Sequence, residues 1–571
     1  MSEPGPSVPA VIGTPAHPPP QFLGWLRKYD RTALPLDVLA GLTAAAVVLP
    51  KALAYATIAG LPAQIGLYTA FIPPIVYAVL GRSTVLSVST TTTIAILVGS
   101  ALSEVLPDAN PAQYATAVAT LSVIVGIALL LAALLRFGFV ANFISEPVLA
   151  GFKAGIGAVI IVDQLPKMLG FHIHKVGFLR DLLAIAHRVG KETSVPTLLL
   201  SGVTLVGILM LKRWLPRLPA ALIAIALGIA ASAFAALPAL GVKTIGTIPS
   251  GVPSLVRPEI GLIEPLWLAA LAIALMSFTE TIASERAFAA PGQPRPAPNR
   301  ELVATGLANV LGGLFGAMPS GGGTSQTLVT QRAGARTQLA GLVVGLAALA
   351  TLLLLAPVIS LMPEATLAAV VVAYSAELLD LKEFRAISAV RRTELWWAVS
   401  AFAGVLFLGT LRGIAAAVIF SVLALMYQAS NPAVYELARK PGTNVFRRRS
   451  EDHPEDDTYP GLLMLRIEGR MFFGNTERIL DRIAPLVTAA QPKVIVLDCS
   501  AIFDIEYSAM KLLAEANERA QRQGAELWLV ALNPEARRVV ERSPLGKKLG
   551  RERMTFDLEH AAAHYAVRRP G

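Results

Sequence analysis

The sequence predicts a polytopic α-helical membrane protein of about fourteen spans, laid out as two inverted halves of seven, followed by a small α/β domain. Three observations predict it. The 571-residue chain is 54% hydrophobic and only 15% charged, with a mean hydropathy of +0.59, far from the soluble norm. Two uncharged segments interrupt the apolar runs, one in each half: Leu86-Ser-Val-Ser-Thr-Thr-Thr-Thr93 and Leu311–Thr330. At Asn431-Pro432 the character changes, and beyond Gly461 strand-like and helix-like runs alternate.

The interrupted segments carry the functional reading. Pro319 and the run Gly321–Gly323 oppose an unbroken helix. Non-helical backbone at membrane depth is tolerated only where protein or a wet cavity satisfies it. The expectation is a half-helix beginning near Thr324, with free N–H groups and a positive dipole end suited to an anion. The Leu86–Thr93 stretch has the same extended opening, then hydroxyls, then an apolar run. Two such segments in corresponding places are the best sequence pointer to a transporter's substrate site.

In order along the chain, residues 4–20 hold seven prolines and no apolar core, so residues 1–31 read as a disordered tail with an interfacial end at Trp25–Arg31 rather than a signal peptide. From Thr32 to Gly81 the only charges are Asp37 and Lys51, a length for two spans parted near Gly60-Leu-Pro62. Further spans are expected at Thr84–Ser103, Pro111–Leu135, Phe139–Val162 (bent at Pro147 and Gly151), Thr193–Leu211 and Leu218–Val242. Residues Leu169–Glu192 read as an amphipathic surface helix. His172 and His174 there suit a solvated loop better than a metal, because no third ligand stands nearby. The second half follows Pro253–Pro258, with spans at Leu262–Ser284, Leu302–Ala317, Gly323–Thr330, Thr337–Pro363, Ala365–Ala376, Leu395–Leu411 and Gly413–Tyr427. Residues 32–430 thus form a membrane domain.

Residues 431–460 read as a charged linker, basic at Arg447-Arg-Arg449 and then acidic. Residues 461–568 read as one α/β domain. Leu462–Ile467 and Met471–Phe473 are expected to pair as strands. Helices are expected at Thr476–Ala490, Ser508–Gln523, Pro534–Arg542 and Leu558–Val567, and strands at Lys493–Cys499 and Glu526–Leu532. Its charge and the basic linker point to the cytoplasm, and an even span count puts the N-terminus there too. The net charge of +10 follows from basic residues between apolar runs rather than from nucleic-acid binding. The single cysteine, Cys499, excludes an intramolecular disulfide and reads as a buried core thiol.

Ordered motifs then bring a family into view. Asp37-Val-Leu-Ala-Gly-Leu-Thr, Leu49-Pro-Lys-Ala-Leu-Ala-Tyr-Ala56, Gly60-Leu-Pro62 and Gly66-Leu-Tyr-Thr-Ala70 resemble the opening of the SulP (sulfate permease) anion transporters. Glu301-Leu-Val-Ala-Thr-Gly-Leu-Ala-Asn309, Gly312-Gly-Leu-Phe-Gly316 and Gly334-Ala-Arg-Thr337 resemble that family's second half, and the tail resembles its STAS domain. The resemblance implies a core and a gate domain, elevator-like movement, a homodimer and no cofactor. The candidate substrate site comprises Lys51, Tyr55, Ser89, Thr90, Thr91, Gly323, Thr324, Ser325 and Gln326. The chain departs from the family where it has Lys51 for the usual Gln, Gln326 for the usual Arg, and Ser87-Val-Ser-Thr90 for Ser-Val-Gly-Pro. A positive charge has moved from one wall of the site to the other.

Lys51 sits well inside an apolar stretch, where the bland alternative is a lysine snorkelling to a headgroup. Glu280 is flanked by uncharged residues, and an intramembrane carboxylate needs a cavity or a partner. Lys51 is a candidate counter-ion. The resemblance places a proton-coupling carboxylate at Glu280, and burial opposed by a nearby cation is the setting in which a carboxylate takes up a proton with an anion. Sodium is the alternative coupling ion, held by Thr279, Thr281 and the Gly321–Thr324 carbonyls. The hydroxyls of Ser89–Thr93, Thr324, Ser325 and Thr327 suit an oxyanion, or else bond between helices. Glu506-Tyr-Ser-Ala509 falls where regulatory STAS proteins carry Asp-Ser-Ser-Gly, which makes Ser508 a weak regulatory candidate against a plain helix N-cap.

These readings predict a non-enzymatic, proton-coupled transporter of a small oxyanion in the cytoplasmic membrane: sulfate first, then bicarbonate and dicarboxylates. Exchange, a channel or a nucleobase–proton symporter would use the same scaffold. A membrane-anchored STAS signalling protein is the reading of another class, and it has no use for two broken segments or for an intramembrane Lys51 and Glu280.

Overall fold

The computed structural model describes residues 23, 25–26, 29–107, 110–142, 145–173, 177–215, 218–234, 237–288 and 297–568. They form two compact units that divide at Ser421 and Val422.

The first half of the membrane unit runs α1 (Leu34–Ile58), α2 (Ala63–Leu80), β1 (Val88–Ser89), α3 (Thr92–Val105), α4 (Pro111–Leu134), α5 (Glu146–Leu169), α6 (Phe178–Arg188), α7 (Val195–Trp214) and α8 (Ala220–Phe234). The second half repeats that order: α9 (Ile263–Phe288), α10 (Pro298–Leu314), β2 (Gly321–Gly322), α11 (Thr324–Arg332), α12 (Leu339–Ala350), α13 (Ala356–Ile359), α14 (Glu364–Ser375), α15 (Leu381–Val390), α16 (Arg392–Leu408) and α17 (Thr410–Ala429). A π turn at Thr351–Leu355 joins α12 to α13, so the two act as one span. Among the described residues seven helices are by themselves long and apolar enough to cross a bilayer. The broken and short spans complete the two sets of seven.

Packing obeys the same exchange of halves. The pair α4–α10 is answered by α12–α2, α1–α12 by α9–α4, α1–α11 by α9–α3, and α5–α16 by α14–α7. With lipid outside, such interfaces form through small residues that let backbones approach. A Cβ on Gly126 would stand 2.6 Å from the Gly306 carbonyl, and one on Gly151 1.9 Å from that of Ala398.

Several boundaries differ from the sequence reading. The fifth span is not Phe139–Val162. Residues 137–142 form a 3-10 turn and α5 starts at Glu146, with Pro147 in its first turn, where a missing N–H costs nothing, rather than bending it. α15 lies in a stretch the sequence reading left unassigned; like α6, it is amphipathic and lies between spans. Trp25, in the expected interfacial tail, donates its indole N–H to the Ala78 carbonyl at 2.7 Å. His172 accepts from Arg188 through its carbonyl, and His174 lies outside the described residues. Asp37, fully buried, accepts from Arg336 N, Thr337 N and Thr337 Oγ1. That contact joins two of the sequence motifs and explains a charge in an apolar run.

The C-terminal unit is built on a six-stranded sheet of order β4-β3-β5-β6-β7-β8. Its strands are β3 (Ala433–Arg439), β4 (Phe446–Arg448), β5 (Leu462–Glu468), β6 (Val494–Asp498), β7 (Glu526–Val530) and β8 (Met554–Thr555). From β5 to β8 the ladder is parallel, so both faces need cover. Helices α18 (Thr476–Ala490), α19 (Tyr507–Arg522), α20 (Pro534–Arg542) and α21 (Pro544–Leu549) supply one core, and α22 (Leu558–Arg568) closes the other over Trp528. Two corrections follow. Met471–Phe473 is not a strand paired with β5; only Met471 bridges, to Ile505. β5 pairs instead with β3, and β3 with β4, both inside or beside the stretch read as a linker, whose charges sit on an edge of the sheet. Cys499 is buried, as expected. α19 is capped at Glu506, so Ser508 lies in its first turn, exposed, and is not the cap.

Candidate functional site

β1 and β2 pair antiparallel, Val88 opposite Gly322 and Ser89 opposite Gly321. The ladder brings the beginnings of α3 and α11 together and sends the two half-helices away in opposite directions. Their N-terminal N–H groups, which an α-helix leaves without intrahelical partners, converge on one region. Thr91 caps α3, its hydroxyl accepting from Ile94 N. Gly323 precedes α11 with no side-chain cap.

The irregular backbone before α11 is satisfied group by group, as burial requires. Met318 N donates to Thr69 Oγ1 at 2.8 Å and Ser320 N to Asn309 Oδ1 at 2.7 Å. The Ser320 carbonyl accepts from Ser277 Oγ and Asn309 Nδ2. Gly322 N donates to Thr281 Oγ1 at 2.9 Å, and the Gly322 carbonyl accepts from Ser284 Oγ. Gly323 N reaches the Ser87 carbonyl at 3.0 Å, and Ser87 N the Thr327 hydroxyl. Ser277, Thr281 and Ser284 fall at i, i+4 and i+7 along α9, one polar stripe on an apolar helix. That spacing was visible in the sequence and marks the brace for β2.

Into this frame the side chains project. Lys51, in α1 just after Pro50, is 3% exposed, and its ammonium donates to Ser325 Oγ at 2.8 Å. Ser325 and Thr324 are exposed, although the helices around them bury their neighbours. Lys51 therefore points into the site and not to a headgroup. Tyr55, one turn on, is buried. Glu280 is buried in α9 and accepts from Thr91 Oγ1 at 2.7 Å. Lys51 and Glu280 do not form an ion pair: each is served by a hydroxyl on a half-helix opening, Ser325 for one and Thr91 for the other. The repeat relates the two contacts, since each broken helix is tied to the first span of the opposite half.

Gln326 is buried and directs Nε2 at the Thr90 carbonyl, 3.4 Å away. It is Ser325, one residue earlier, that meets Lys51. The Ser89 and Thr90 hydroxyls and Gln326 Oε1 are buried with no protein partner, unused hydrogen-bonding capacity beside the two helix beginnings. Thr279 and Thr281 direct their hydroxyl protons to Leu275 and Ser277 carbonyls, and Gly323 O accepts from Thr327. Of these oxygens, Thr281 Oγ1 also accepts from Gly322 N. The sequence reading missed Tyr374, whose ring lies 4.2 Å from Lys51 Nζ; an aromatic in an apolar span gives no signal of its own.

Known proteins share this chain's sequence pattern and fold. Residues 34–401 match the model of the sulfate permease family, and residues 453–562 that of the STAS domain. A probable sulfate transporter of Mycobacterium tuberculosis is 32% identical over 95% of this chain and 97% of its own length. The chloroplastic sulfate transporter 4.1 of Arabidopsis thaliana is 28% identical over 92% and 80%. Among solved structures, the murine Solute Carrier 26 family member A9 anion transporter, captured inward-facing, superposes with a TM-score of 0.88 at 22% identity, covering 96% of this chain and 94% of that one. The transmembrane domain of a cyanobacterium bicarbonate transporter, BicA, superposes with a TM-score of 0.59 at 25% identity, covering 69% and 98%. In its motifs, its paired broken helices and its C-terminal sheet, this chain belongs to the sulfate permease family of multi-pass membrane proteins.

Proposed function

We propose that the chain is a secondary active transporter that takes up a small oxyanion with a proton. The observation that carries this reading is the meeting of two half-helix beginnings with one buried ammonium, Lys51 on Ser325. An anion leaving water needs compensating charge and donors. Here helix-end N–H groups, the Ser89, Thr90 and Thr324 hydroxyls, and Lys51 supply both. Sulfate leads, on the names of the mycobacterial and plant relatives; bicarbonate and small dicarboxylates follow.

Glu280 is the coupling group in this reading. Its carboxylate is buried and bonded to Thr91, which caps the helix that holds the anion, so protonation at Glu280 and occupancy beside α3 act on one another. The proton is the coupling ion in this reading; of the candidate sodium ligands, Thr281 Oγ1 already accepts from Gly322 N. The transporter works as a homodimer in the cytoplasmic membrane. The half-helices and their braces move as an elevator past α5, α7, α14 and α16, and the N-terminus and STAS domain lie in the cytoplasm. Ser508, exposed in the first turn of α19, is a regulatory candidate only.

The test is uptake by the purified full-length protein in proteoliposomes, across sulfate, bicarbonate and fumarate, with and without an inward proton gradient. Gradient-dependent accumulation of one of them supports the reading. Uptake of none, or passive flux unaltered by the gradient, contradicts it.

A further inference from the structure

The Tyr374 ring serves two ammonium groups. Lys51 Nζ lies 4.2 Å from its centroid and Lys212 Nζ 4.5 Å. The lysines come from different elements, α1 and the last turn of α7, and Tyr374 stands on α14. Lys212 also pairs with Glu377 at 2.6 Å and donates to the Ala373 carbonyl. Exposure grades along this line. Lys51 is 3% exposed, whereas the Lys212 and Glu377 side chains are 31% and 53% exposed.

Two like charges at one ring repel each other, and the negative face of the ring and one carboxylate offset only part of that. Glu377 attracts Lys51 as well as Lys212, and Lys212 repels Lys51. The group of two ammoniums and one carboxylate keeps a surplus positive charge that continues from the half-exposed outer end to the buried inner one. The carboxylate that holds Lys212 is the most exposed member, so an incoming oxyanion can replace it with little loss of burial.

We propose that Lys212 is an outer anion station for the transport site, resting on the reading of Lys51 and Ser325 as the inner one. The oxyanion displaces Glu377 from Lys212, passes along the edge of Tyr374 and reaches Lys51. Glu377 then acts as a tethered competitor that occupies Lys212 between anions. In the orientation proposed above, the C-terminal end of α7 is the cytoplasmic end, so the station serves that face alone.

The experiment is exchange of labelled sulfate, or bicarbonate where the wild type prefers it, by full-length protein in vesicles of known orientation. The half-saturating concentration is measured from each face separately. For Lys212→Gln it should rise roughly ten-fold at the cytoplasmic face and stay within about two-fold at the other, with kcat little changed. Lys212→Arg should restore it. Glu377→Gln should lower it at the cytoplasmic face, because the competitor is gone. No change for Lys212→Gln, or equal rises at both faces, overturns the proposal. Should Lys212→Gln fail to fold, Glu377→Gln decides alone, since an unchanged or raised value there also overturns it. Lys51→Gln in the same series separates the two readings. If it leaves both faces unaltered, the inner site itself is wrong, whatever Lys212 does.

Discussion

Lys51 Nζ and Ser325 Oγ stand 2.8 Å apart, although 274 residues separate them. The contact crosses from the first span of one half to the broken helix of the other, and Thr91 Oγ1 with Glu280 makes the corresponding contact in reverse, at 2.7 Å. One helix beginning is thus tied to a cation and the other to an acid. Under the proposed function, an anion and a proton have adjacent places without a direct Lys51–Glu280 pair to break first.

Glu280→Gln keeps the size of the side chain and an acceptor for Thr91 but removes the titrating group. Accumulation driven by a pH gradient should be lost, while anion exchange between equal pools continues. The readout is labelled-anion uptake under gradient and under exchange, side by side. Full gradient-driven accumulation by the variant rules Glu280 out as the coupling group.

β2 leaves no room for a side chain against α9. A Cβ on Gly322 would stand 2.8 Å from Thr281 Cα, and one on Gly321 3.0 Å from the Ser277 carbonyl. Gly322→Ala should destabilise the membrane unit by about 1–3 kcal/mol and depress transport. Gly202→Ala, in α7 with open space around it, should be neutral or stabilising by up to about 1 kcal/mol. Thermal unfolding in detergent compares them, and equal melting temperatures would refute the close-approach argument.

The sheet of the C-terminal unit sets where the chain tolerates a cut. β3 and β4 lie before Glu451 but belong to the sheet, and Leu437 and Ala438 are buried in it. A chain ending at Ala429 should be monodisperse in detergent. One ending at Glu451 keeps two strands without β5 and should aggregate through the bare edge. Size-exclusion profiles decide it, and a well-behaved 451 truncation would mean that the hairpin stands alone.

Much of this was legible in the residues. Glycine, proline and hydroxyls without charge announced both broken helices, because only a braced, non-helical backbone survives at that depth. Lys51 and Glu280 stood out since an ionisable group in an apolar run needs a reason. What stayed hidden depends on partners brought together by the fold. Ser325 rather than Gln326 meets Lys51, because the first turn of α11 points one residue toward α1 and turns the next to Thr90. Tyr374 and Lys212 lie far from the broken segments in sequence. The linker residues concealed two strands because β4, at the sheet edge, carries Arg447 and Arg448 and β3 beside it includes Glu436 and Arg439, and α5 began late because Pro147 opens a helix as readily as it bends one.

Burial, with the charge of Asp498 beside it, pushes the Cys499 thiol up to about 12. An unfolded thiol titrates near 8.5. Between these values the unfolded chain binds fewer protons than the folded one, so this group's contribution to stability falls as the pH rises from about 8.5 toward about 12. Native protein should resist a maleimide at pH 8 for hours and react within minutes in denaturant. Mass spectrometry of the labelled chain reads this, and rapid native labelling would show that the core of the C-terminal unit opens.

The central claim is that an anion is held where Lys51 meets the beginnings of α3 and α11, and anion affinity on site variants tests it most directly. Calorimetric titration of sulfate and of bicarbonate into full-length wild type, Lys51→Gln, Gln326→Arg, Ser325→Ala and the double variant Lys51→Gln with Gln326→Arg gives it in one series. Lys51→Gln should weaken binding by roughly ten-fold to a hundred-fold, and Ser325→Ala by less. The double variant, with a cation returned to the other wall, should recover part of the loss with a changed anion order. Wild-type affinity in Lys51→Gln, or a double variant that only adds the two single losses, would contradict the account.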